Sequence, residues 1–338
     1  MDSIIPLIDL AKLDDPDPAK RREVIELVRG GLETVGFLLV KNHGVPQQLV
    51  DRAHNAGLEF FRAPEPDKLK VLKPSKTINR GFMPNRDRLV GKASTPGVET
   101  LPALQEGFAI GPLDISDEYY RSGSKALKYA PNKWPDSPAD FQTTMRDYYD
   151  HMERVFQKVM SMMAVALDLP PGFFDRFLTY PSSTLRLVYY PALDREPLPG
   201  EERAGTHTDT GAVTILHIDE TTNGGLQVKL RSGEWIDVHK TPGAFIINIG
   251  DMMAQWTNDK WVSTLHRVAN PCFVDGKTSD RLSIVHFCQT NYDTLVECLP
   301  TCTSADNPPK YPPVIAGEYS RLSAAKVYGY KLPEPADA

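Results

Sequence analysis

Apolar and polar positions follow two different periods along the chain. Short alternating segments bounded by turn residues run from Ser183 to Thr290, a pattern typical of a double-sheet jelly roll. Between Asp140 and Leu169 the apolar residues instead recur every 3.6 residues and are followed by Pro170, which predicts one long helix. The methionines in its apolar stripe suit either a binding groove or a core, and the core is the commoner use.

The first half of the chain predicts fewer strands and more helices. Strands are expected at Ile4–Leu10, Gly36–Lys41 and Glu106–Ile110, and a helix at Ala19–Glu33. The segment Lys73–Pro102 has little periodicity, and a long irregular loop in a compact domain is usually functional or mobile. No internal repeat or linker interrupts the chain, so one structural unit is expected over residues 1–338.

Composition excludes several classes of function. The chain has 338 residues, 41% of them hydrophobic and 24% charged, as in soluble globular proteins. The net charge of −6 argues against nucleic-acid binding, which favours a basic surface. The sequence has neither an apolar run long enough to span a membrane nor a recognisable signal peptide, so a cytoplasmic protein is expected. Cys298 and Cys302 lack a second Cys/His pair at zinc-finger spacing, so reduced thiols are expected.

A candidate metal site comes from alternation within two predicted strands. Residues two apart on a strand share a face, so His207 and Asp209 in the strand predicted at 206–210 are expected to reach one ion. His266, in a strand predicted at 261–268, is the candidate third ligand. Two histidines and one carboxylate form the facial triad of non-haem Fe(II) oxygenases. The chain also contains a second His-x-Asp pair, at 217 and 219.

A candidate anchor for an organic acid follows the metal residues. The turn signal Asp275-Gly276 predicts a hairpin between the strands of His266 and Arg281. Arg281 and Ser283 share a strand face, where a guanidinium binds a carboxylate bidentately and a hydroxyl adds one bond. Tyr190, on the alternating strand Leu185–Tyr190, offers a third bond. This set suits the distal carboxylate of 2-oxoglutarate.

These motifs, taken in order, resemble a known enzyme family. His-Thr-Asp at 207–209, a histidine 57 residues after Asp209, and Arg-Leu-Ser at 281–283 resemble the 2-oxoglutarate/Fe(II) dioxygenases of the isopenicillin N synthase-like family. The resemblance extends along the chain through Ile5–Leu10, Gly36–Val45, Gly224–Val228, Trp235, Asn248–Asp251 and Ser263–Val268. The family's metal pair precedes the Thr-Ile-Leu run, which favours His207 and Asp209 over the second pair. Val188 departs from the family, which often has Asn there.

The resemblance implies a fold and a chemistry. It implies a mainly β protein with flanking helices, in which an α/β flank over 1–180 packs on a double-stranded β-helix (jelly-roll) core over 181–295. Residues 296–338 would cover the pocket, and Lys73–Pro102 would supply part of its wall. Fe(II) would be bound by His207, Asp209 and His266, and 2-oxoglutarate by Tyr190, Arg281 and Ser283. With O2, the reaction would release succinate and CO2 and oxidise a small organic substrate by hydroxylation, desaturation, cyclisation or epoxidation.

Substrate identity remains open on the sequence alone. Strand alternation around the metal gives the candidate pocket-lining residues Arg186, Val188, Thr208, Phe287 and Gln289. Arg203–Asp209, Gly225–Lys229 and Trp256–Asp259 resemble fungal thymine-hydroxylase-type members of the family, and related fungal members make secondary metabolites. The alternatives are a nucleobase hydroxylase, an Fe(II) oxidase that does not use 2-oxoglutarate, and a non-catalytic binding protein. The expected partner is a small molecule, without nucleic acid or membrane, and the protein is expected to be monomeric or weakly self-associating.

Overall fold

Two β-sheets and a layer of helices make up most of the described structure. The computed structural model describes residues 4–85, 103–198, 201–218, 225–239 and 241–328. The strands are β1 (Leu7–Asp9), β2 (Phe37–Lys41), β3 (Gly81–Met83), β4 (Glu106–Ile110), β5 (Thr184–Tyr190), β6 (Ala204–His207), β7 (Val213–Ile218), β8 (Leu226–Lys229), β9 (Trp235–Asp237), β10 (Phe245–Ile249), β11 (His266–Val268), β12 (Arg281–Cys288), β13 (Leu295–Val296) and β14 (Val314–Ile315). The α-helices are α1 (Pro18–Thr34), α2 (Gln47–Arg62), α3 (Glu65–Leu69), α4 (Phe141–Ala166), α5 (Asp251–Trp256) and α6 (Ala316–Tyr328).

The larger sheet joins both halves of the chain. Its eight strands lie in the order β1-β2-β10-β7-β12-β5-β4-β3, and among these described strands only the β1–β2 pair is parallel. Four of the strands come from the N-terminal half, so that half extends the sheet on both edges. The smaller sheet has the order β6-β11-β8-β9. Inward side chains of the two sheets line one cavity, and the predicted jelly-roll core is confirmed.

The other face of the larger sheet is covered by helices. Asp17 caps α1 by accepting a hydrogen bond from the Ala19 N–H, and Pro18 occupies the first turn. Along α4 the methionine stripe is buried, with Met145, Met152 and Met163 fully inaccessible, so its predicted place in the core is confirmed. None of the described helices has both the length and the apolarity that a membrane span requires.

The predicted hairpin between the strands of His266 and Arg281 is wrong. Asp275 and Gly276 do form a tight turn, with φ values of 52° and 76° and a bridge between Val274 and Lys277. The flanking strands, however, belong to different sheets, because β11 pairs with β6 and β8 whereas β12 pairs with β5 and β7. The turn therefore lies in a connection that crosses from one sheet to the other.

Candidate active site

The three predicted metal ligands meet at one end of the cavity. His207 is the last residue of β6 and lies opposite His266, the first residue of β11. Asp209 follows two residues after β6, so it reaches the two imidazoles from a loop rather than from the predicted strand. Its Oδ1 lies 3.9 Å from His207 Nε2 and 3.8 Å from His266 Nε2. The three potential ligand atoms all lie within 4.8 Å of one another.

Backbone carbonyls orient both imidazole rings. His207 Nδ1 lies 2.7 Å from the Gly205 carbonyl oxygen, and His266 Nδ1 lies 3.0 Å from that of Thr264. A carbonyl only accepts, so each Nδ1 must carry the proton and donate it. In the neutral form of each ring, Nε2 carries the lone pair and faces Asp209. Neutral imidazoles held in this tautomer are the form that binds a metal ion.

Asp209 is supported on the carboxylate oxygen that faces away from the histidines. Its Oδ2 accepts hydrogen bonds from Thr214 Oγ1 at 2.6 Å and from Asn248 Nδ2 at 2.8 Å. Burial alone raises the pKa of Asp209, but His266, His207 and the two hydrogen bonds outweigh it, so the pKa lies below its ordinary value. The carboxylate is thus held ionised, with Oδ1 facing the imidazoles.

The Asn248–Asp251 segment supports the loop that carries Asp209. Besides the Asn248 amide, the Asp251 N–H donates to the Asp209 carbonyl oxygen at 2.7 Å. The Asp251 carboxylate in turn accepts a hydrogen bond from Thr208 Oγ1 at 3.2 Å, and burial raises the pKa of Asp251. In the sequence, only the family resemblance of Asn248–Asp251 indicated a role for this segment. Neither Asn248 nor Thr214 stands at a metal-ligand spacing from Asp209.

The predicted acid anchor lies on the larger sheet, along the cavity wall. Tyr190 on β5 is directly paired with Arg281 on β12. Arg281 is only 2% exposed, and its Nε donates to Ser283 Oγ at 3.2 Å. A second buried guanidinium was missed: Cζ of Arg203 lies 5.5 Å from the Tyr190 ring centroid, and Cζ of Arg281 lies 5.7 Å from it. Burial and then Arg281 lower the pKa of Arg203 to about 10, so this corner favours an anion.

One cavity of about 550 Å³ connects the metal residues to the anchor. Alternate residues of β5 and β12 face it, whereas the residues between them face the helices, as strand geometry requires. All five candidate substrate residues line this cavity: Arg186, Val188, Thr208, Phe287 and Gln289. Of the irregular segment Lys73–Pro102, Asn79 and Met83 contribute to the wall, and residues 86–102 lie outside the described residues. On the other side the wall includes Tyr319, Ser320, Ser323 and Ala324 of α6.

Comparisons with known proteins agree with this geometry. The 2OG-Fe(II) oxygenase superfamily model matches residues 181–290, and the model of the N-terminal region of a non-haem dioxygenase in morphine synthesis matches residues 5–137. The 2-oxoglutarate-Fe(II) type oxidoreductase hxnY of Emericella nidulans is 32% identical over 96% of this chain and 90% of its own. The chain belongs to the 2OG-Fe(II) oxygenase superfamily. This oxygenase is also 31% identical to the validamycin A dioxygenase of Streptomyces hygroscopicus subsp. limoneus, over 94% of this chain and 85% of that protein.

A solved relative places the same fold around the cosubstrate. A full-length Neurospora crassa protein, crystallised in complex with alpha-KG and thymine, superposes on this oxygenase with a TM-score of 0.83. The two sequences are 30% identical, and the match covers 95% of this chain and 96% of that one. The oxygenase is therefore a 2-oxoglutarate-dependent Fe(II) dioxygenase that uses O2 and acts on a small organic substrate. An iron oxidase without 2-oxoglutarate and a non-catalytic protein are both disfavoured.

The donor atoms at the site fit the two cofactors. Two imidazole nitrogens and one carboxylate oxygen match the facial set preferred by non-haem Fe(II), and hydrogen bonds hold the two rings and the carboxylate in place. The Arg281 guanidinium, the Ser283 hydroxyl and the Tyr190 phenol carry donor groups of the kind that bind a carboxylate. Both groups of residues border the same cavity.

The described residues contain one candidate metal site. Among the described residues, His207, Asp209 and His266 are the one group of at least three His, Cys, Asp or Glu side chains close enough to share an ion. Neither His217 nor the Cys298–Cys302 pair belongs to such a group, and Asp219 lies outside the described residues. His43 bonds the backbone, because its Nδ1 accepts from the Val45 N–H at 3.2 Å.

Proposed function

We propose that His207, Asp209 and His266 hold the Fe(II) of this dioxygenase. The observation that carries the proposal is the convergence of both Nε2 atoms on one oxygen of Asp209, with each ring held by a hydrogen bond from Nδ1 to a backbone carbonyl. A divalent cation would be bound by the two imidazole nitrogens and the carboxylate oxygen together.

The second part of the proposal assigns the 2-oxoglutarate anchor to Tyr190, Arg281 and Ser283. Arg281 would bind the far carboxylate of the cosubstrate through its guanidinium, and Ser283 and Tyr190 would each donate a hydroxyl hydrogen bond. Arg203 would add positive potential from behind Tyr190 without direct contact. The keto-acid end would then point along the cavity toward His207 and His266.

The residues of the chain would act by binding, orienting and excluding water. When bound, Fe(II) and 2-oxoglutarate supply the oxidising chemistry, with O2 consumed and succinate and CO2 released. Asp209, ionised and held by Thr214 and Asn248, keeps the metal end fixed throughout. The apolar side chains Val188 and Phe287 would limit water near the reacting C–H bond.

The substrate would lie against Arg186, Val188, Thr208, Phe287 and Gln289, and α6 would close the far side. We infer a secondary metabolite of low molecular mass, because the similar validamycin A dioxygenase carries the name of such a compound and the cavity holds about 550 Å³. A nucleobase is the second candidate, since the similar Neurospora crassa protein was solved with thymine. Turnover of thymine, measured by succinate release, would favour the second candidate.

Anaerobic spectroscopy tests the cofactor assignment. Fe(II) and 2-oxoglutarate added to the protein without O2 are expected to produce a weak visible charge-transfer band that needs both components. Arg281→Ala should weaken the band at a fixed 2-oxoglutarate concentration, and His266→Ala should abolish it. A full band in His266→Ala would contradict the iron assignment, and unchanged 2-oxoglutarate dependence in Arg281→Ala would contradict the anchor.

Location and assembly belong to the proposal as well. We expect a cytoplasmic protein that is monomeric or weakly self-associating and binds neither nucleic acid nor membrane. Size-exclusion chromatography with light scattering would check the assembly state, and a stable dimer at micromolar concentration would contradict it.

A further inference from the structure

A buried arginine outside the proposed anchor for 2-oxoglutarate faces the cavity. Arg186 is 4% exposed, lines the cavity, and its Nε has no hydrogen-bond partner. Within the described ranges, no carboxylate lies at ion-pair distance from its guanidinium. A buried charge without a partner costs several kcal/mol of folding free energy. Such a group is expected where a ligand supplies the missing charge.

Strand β4 is shaped to make room for this side chain. Ala109 is paired with Arg186, and Gly107 precedes it by two residues on the same face. A Cβ added to Gly107 would lie 2.9 Å from Arg186 Nη2, and one added to Gly111 would overlap the Arg80 guanidinium. The small residues at 107, 109 and 111 therefore leave space for cationic side chains, while Phe108 and Ile110 pack in the core.

A second cation borders the same cavity. Lys128 lines it, and its ammonium donates to Ser320 Oγ on α6 at 2.7 Å. No ion pair joins Lys128 to a carboxylate within the part of the chain that the structure describes. Burial and then Arg80 lower the pKa of Lys128 to about 8, so it is still largely protonated at neutral pH. The two described carboxylates that line the cavity, Asp209 and Asp251, both lie at the metal end.

This positive region is separate from the cosubstrate anchor. Arg186 pairs with Val285 of β12, whereas the anchor residues Ser283 and Arg281 pair with Val188 and Tyr190, two and four residues further along β5. Arg281 bonds Ser283 within the anchor, and no hydrogen bond joins Arg186 to an anchor residue in the described structure. A carboxylate held by Arg281, Ser283 and Tyr190 would therefore leave the Arg186 guanidinium available to a second anion.

We propose that Arg186 and Lys128 form a subsite for a carboxylate of the organic substrate, so that the enzyme oxidises an organic acid. This inference rests on the proposed function, which assigns the metal to His207, Asp209 and His266 and 2-oxoglutarate to Tyr190, Arg281 and Ser283. The acid would bind the Arg186 guanidinium and the Lys128 ammonium, and Ser320 would link it to α6. The remainder of the substrate would extend along Val188 and Phe287 toward the metal residues.

Binding of a simple aromatic acid tests the subsite. The protein is loaded with Mn(II) and saturating 2-oxoglutarate, so that the Arg281 anchor is filled and no turnover occurs. Titration calorimetry then compares benzoate with benzamide, its neutral isostere, and with thymine. Benzoate is expected to bind the wild-type protein at least about 10-fold more tightly than benzamide, since charge-assisted hydrogen bonds are stronger than neutral ones. Thymine is expected to bind no better than benzamide.

Matched variants locate the binding. Arg186→Gln and Lys128→Gln should each weaken benzoate at least about 10-fold while benzamide is little changed. Arg186→Lys keeps the positive charge and should retain part of the preference for benzoate over benzamide. This variant therefore tests the subsite even if Arg186→Gln folds poorly. Arg52→Gln removes an exposed arginine, 58% accessible, and should bind benzoate like wild type.

Three outcomes would overturn the subsite. They are equal affinity for benzoate and benzamide, tighter binding of thymine, and full benzoate affinity in Arg186→Gln. Failure of the proposed function would give a different result, because 2-oxoglutarate would then not bind the Mn(II)-loaded protein even before benzoate is added. The two failures are thus distinguished in one series of titrations.

Discussion

Two regions of the cavity wall are built in opposite ways. At the metal residues, each His has a carbonyl partner for its Nδ1, and Asp209 has two donors on its Oδ2. At the cationic region, Arg186 has a buried Nε without a partner, and Lys128 bonds only a hydroxyl in the described structure. The first region is fixed by protein contacts before any ligand arrives. The second has charge that the described protein groups do not neutralise, so a ligand is needed to complete it.

The largest expected effect comes from the metal end. His266→Ala removes one of three ligands, and we expect Fe(II) affinity and turnover to fall by at least about 100-fold, because even outer partners of metal ligands are worth 10–100-fold. Fe(II) binding and succinate release would measure this. His151→Ala, on the helical layer, is the matched control. Activity above a tenth of wild type in His266→Ala would show that the ligand set is different.

The cosubstrate anchor should give the next largest effect. Arg281→Ala is expected to raise the KM for 2-oxoglutarate by about 30-fold or more, since losing one partner of a buried charge pair costs 2–5 kcal/mol. The maximal rate at saturating 2-oxoglutarate should fall less. Steady-state assays over a range of 2-oxoglutarate concentrations would separate the two effects, and Arg52→Ala serves as control. An unchanged KM would remove Arg281 from the anchor.

A smaller effect is expected from the support of Asp209. Thr214→Val keeps the shape of the side chain but removes the donor at 2.6 Å from Asp209 Oδ2. With the Asn248 bond still present, Fe(II) affinity should fall by about 10-fold. Thr144→Val, at a buried threonine on α4, is the control for the loss of a hydroxyl. Unchanged Fe(II) affinity in Thr214→Val would mean that the Asn248 bond alone fixes the carboxylate.

A further effect concerns the pH dependence of stability at Lys128. The pKa of Lys128 is lowered to about 8 in the folded protein from 10.5, so the unfolded chain binds more protons between these values. Stability relative to Lys128→Met should therefore rise with pH from about 8 to 10.5, by at most about 1.4 kcal/mol per pH unit. Urea unfolding of both proteins at about pH 7.5 and about pH 9.5 measures the difference. A pH-independent difference would show that Lys128 is not desolvated.

Measurements of thermal stability extend the comparison to the charge of Arg186. Because its charge lacks a partner in the ligand-free protein, Arg186→Met is expected to raise the melting temperature while weakening acid binding. Asp209→Asn, which removes the charge of a proposed metal ligand, should lower metal affinity without raising the melting temperature. Thermal unfolding of both variants without metal would test this contrast. A lower melting temperature for Arg186→Met would show that the protein already compensates its charge.

Local patterns in the sequence determined much of this protein. The 3.6-residue period predicted α4 to within a few residues of its observed limits, Phe141–Ala166, because apolar burial on one face sets the helix. Strand alternation correctly put Arg186, Val188 and Tyr190 on one wall, and Arg281 and Ser283 on the neighbouring one. The spacing of His207, Asp209 and His266 nominated the metal site, and the family resemblance favoured it over the second His-x-Asp pair, although Asp209 reaches it from a loop rather than from a strand.

Tertiary structure alone decided which strands are partners and which charges are compensated. The turn at Asp275-Gly276 was visible in the sequence, but the assignment of β11 and β12 to different sheets depends on long-range hydrogen bonds that leave no local signal. Likewise, an arginine on a strand is usually matched by a carboxylate elsewhere in the chain. Arg186 and Lys128 line one cavity, whose described carboxylates lie beside the metal residues. This arrangement became visible only when residues from β4, β5 and α6 were brought together.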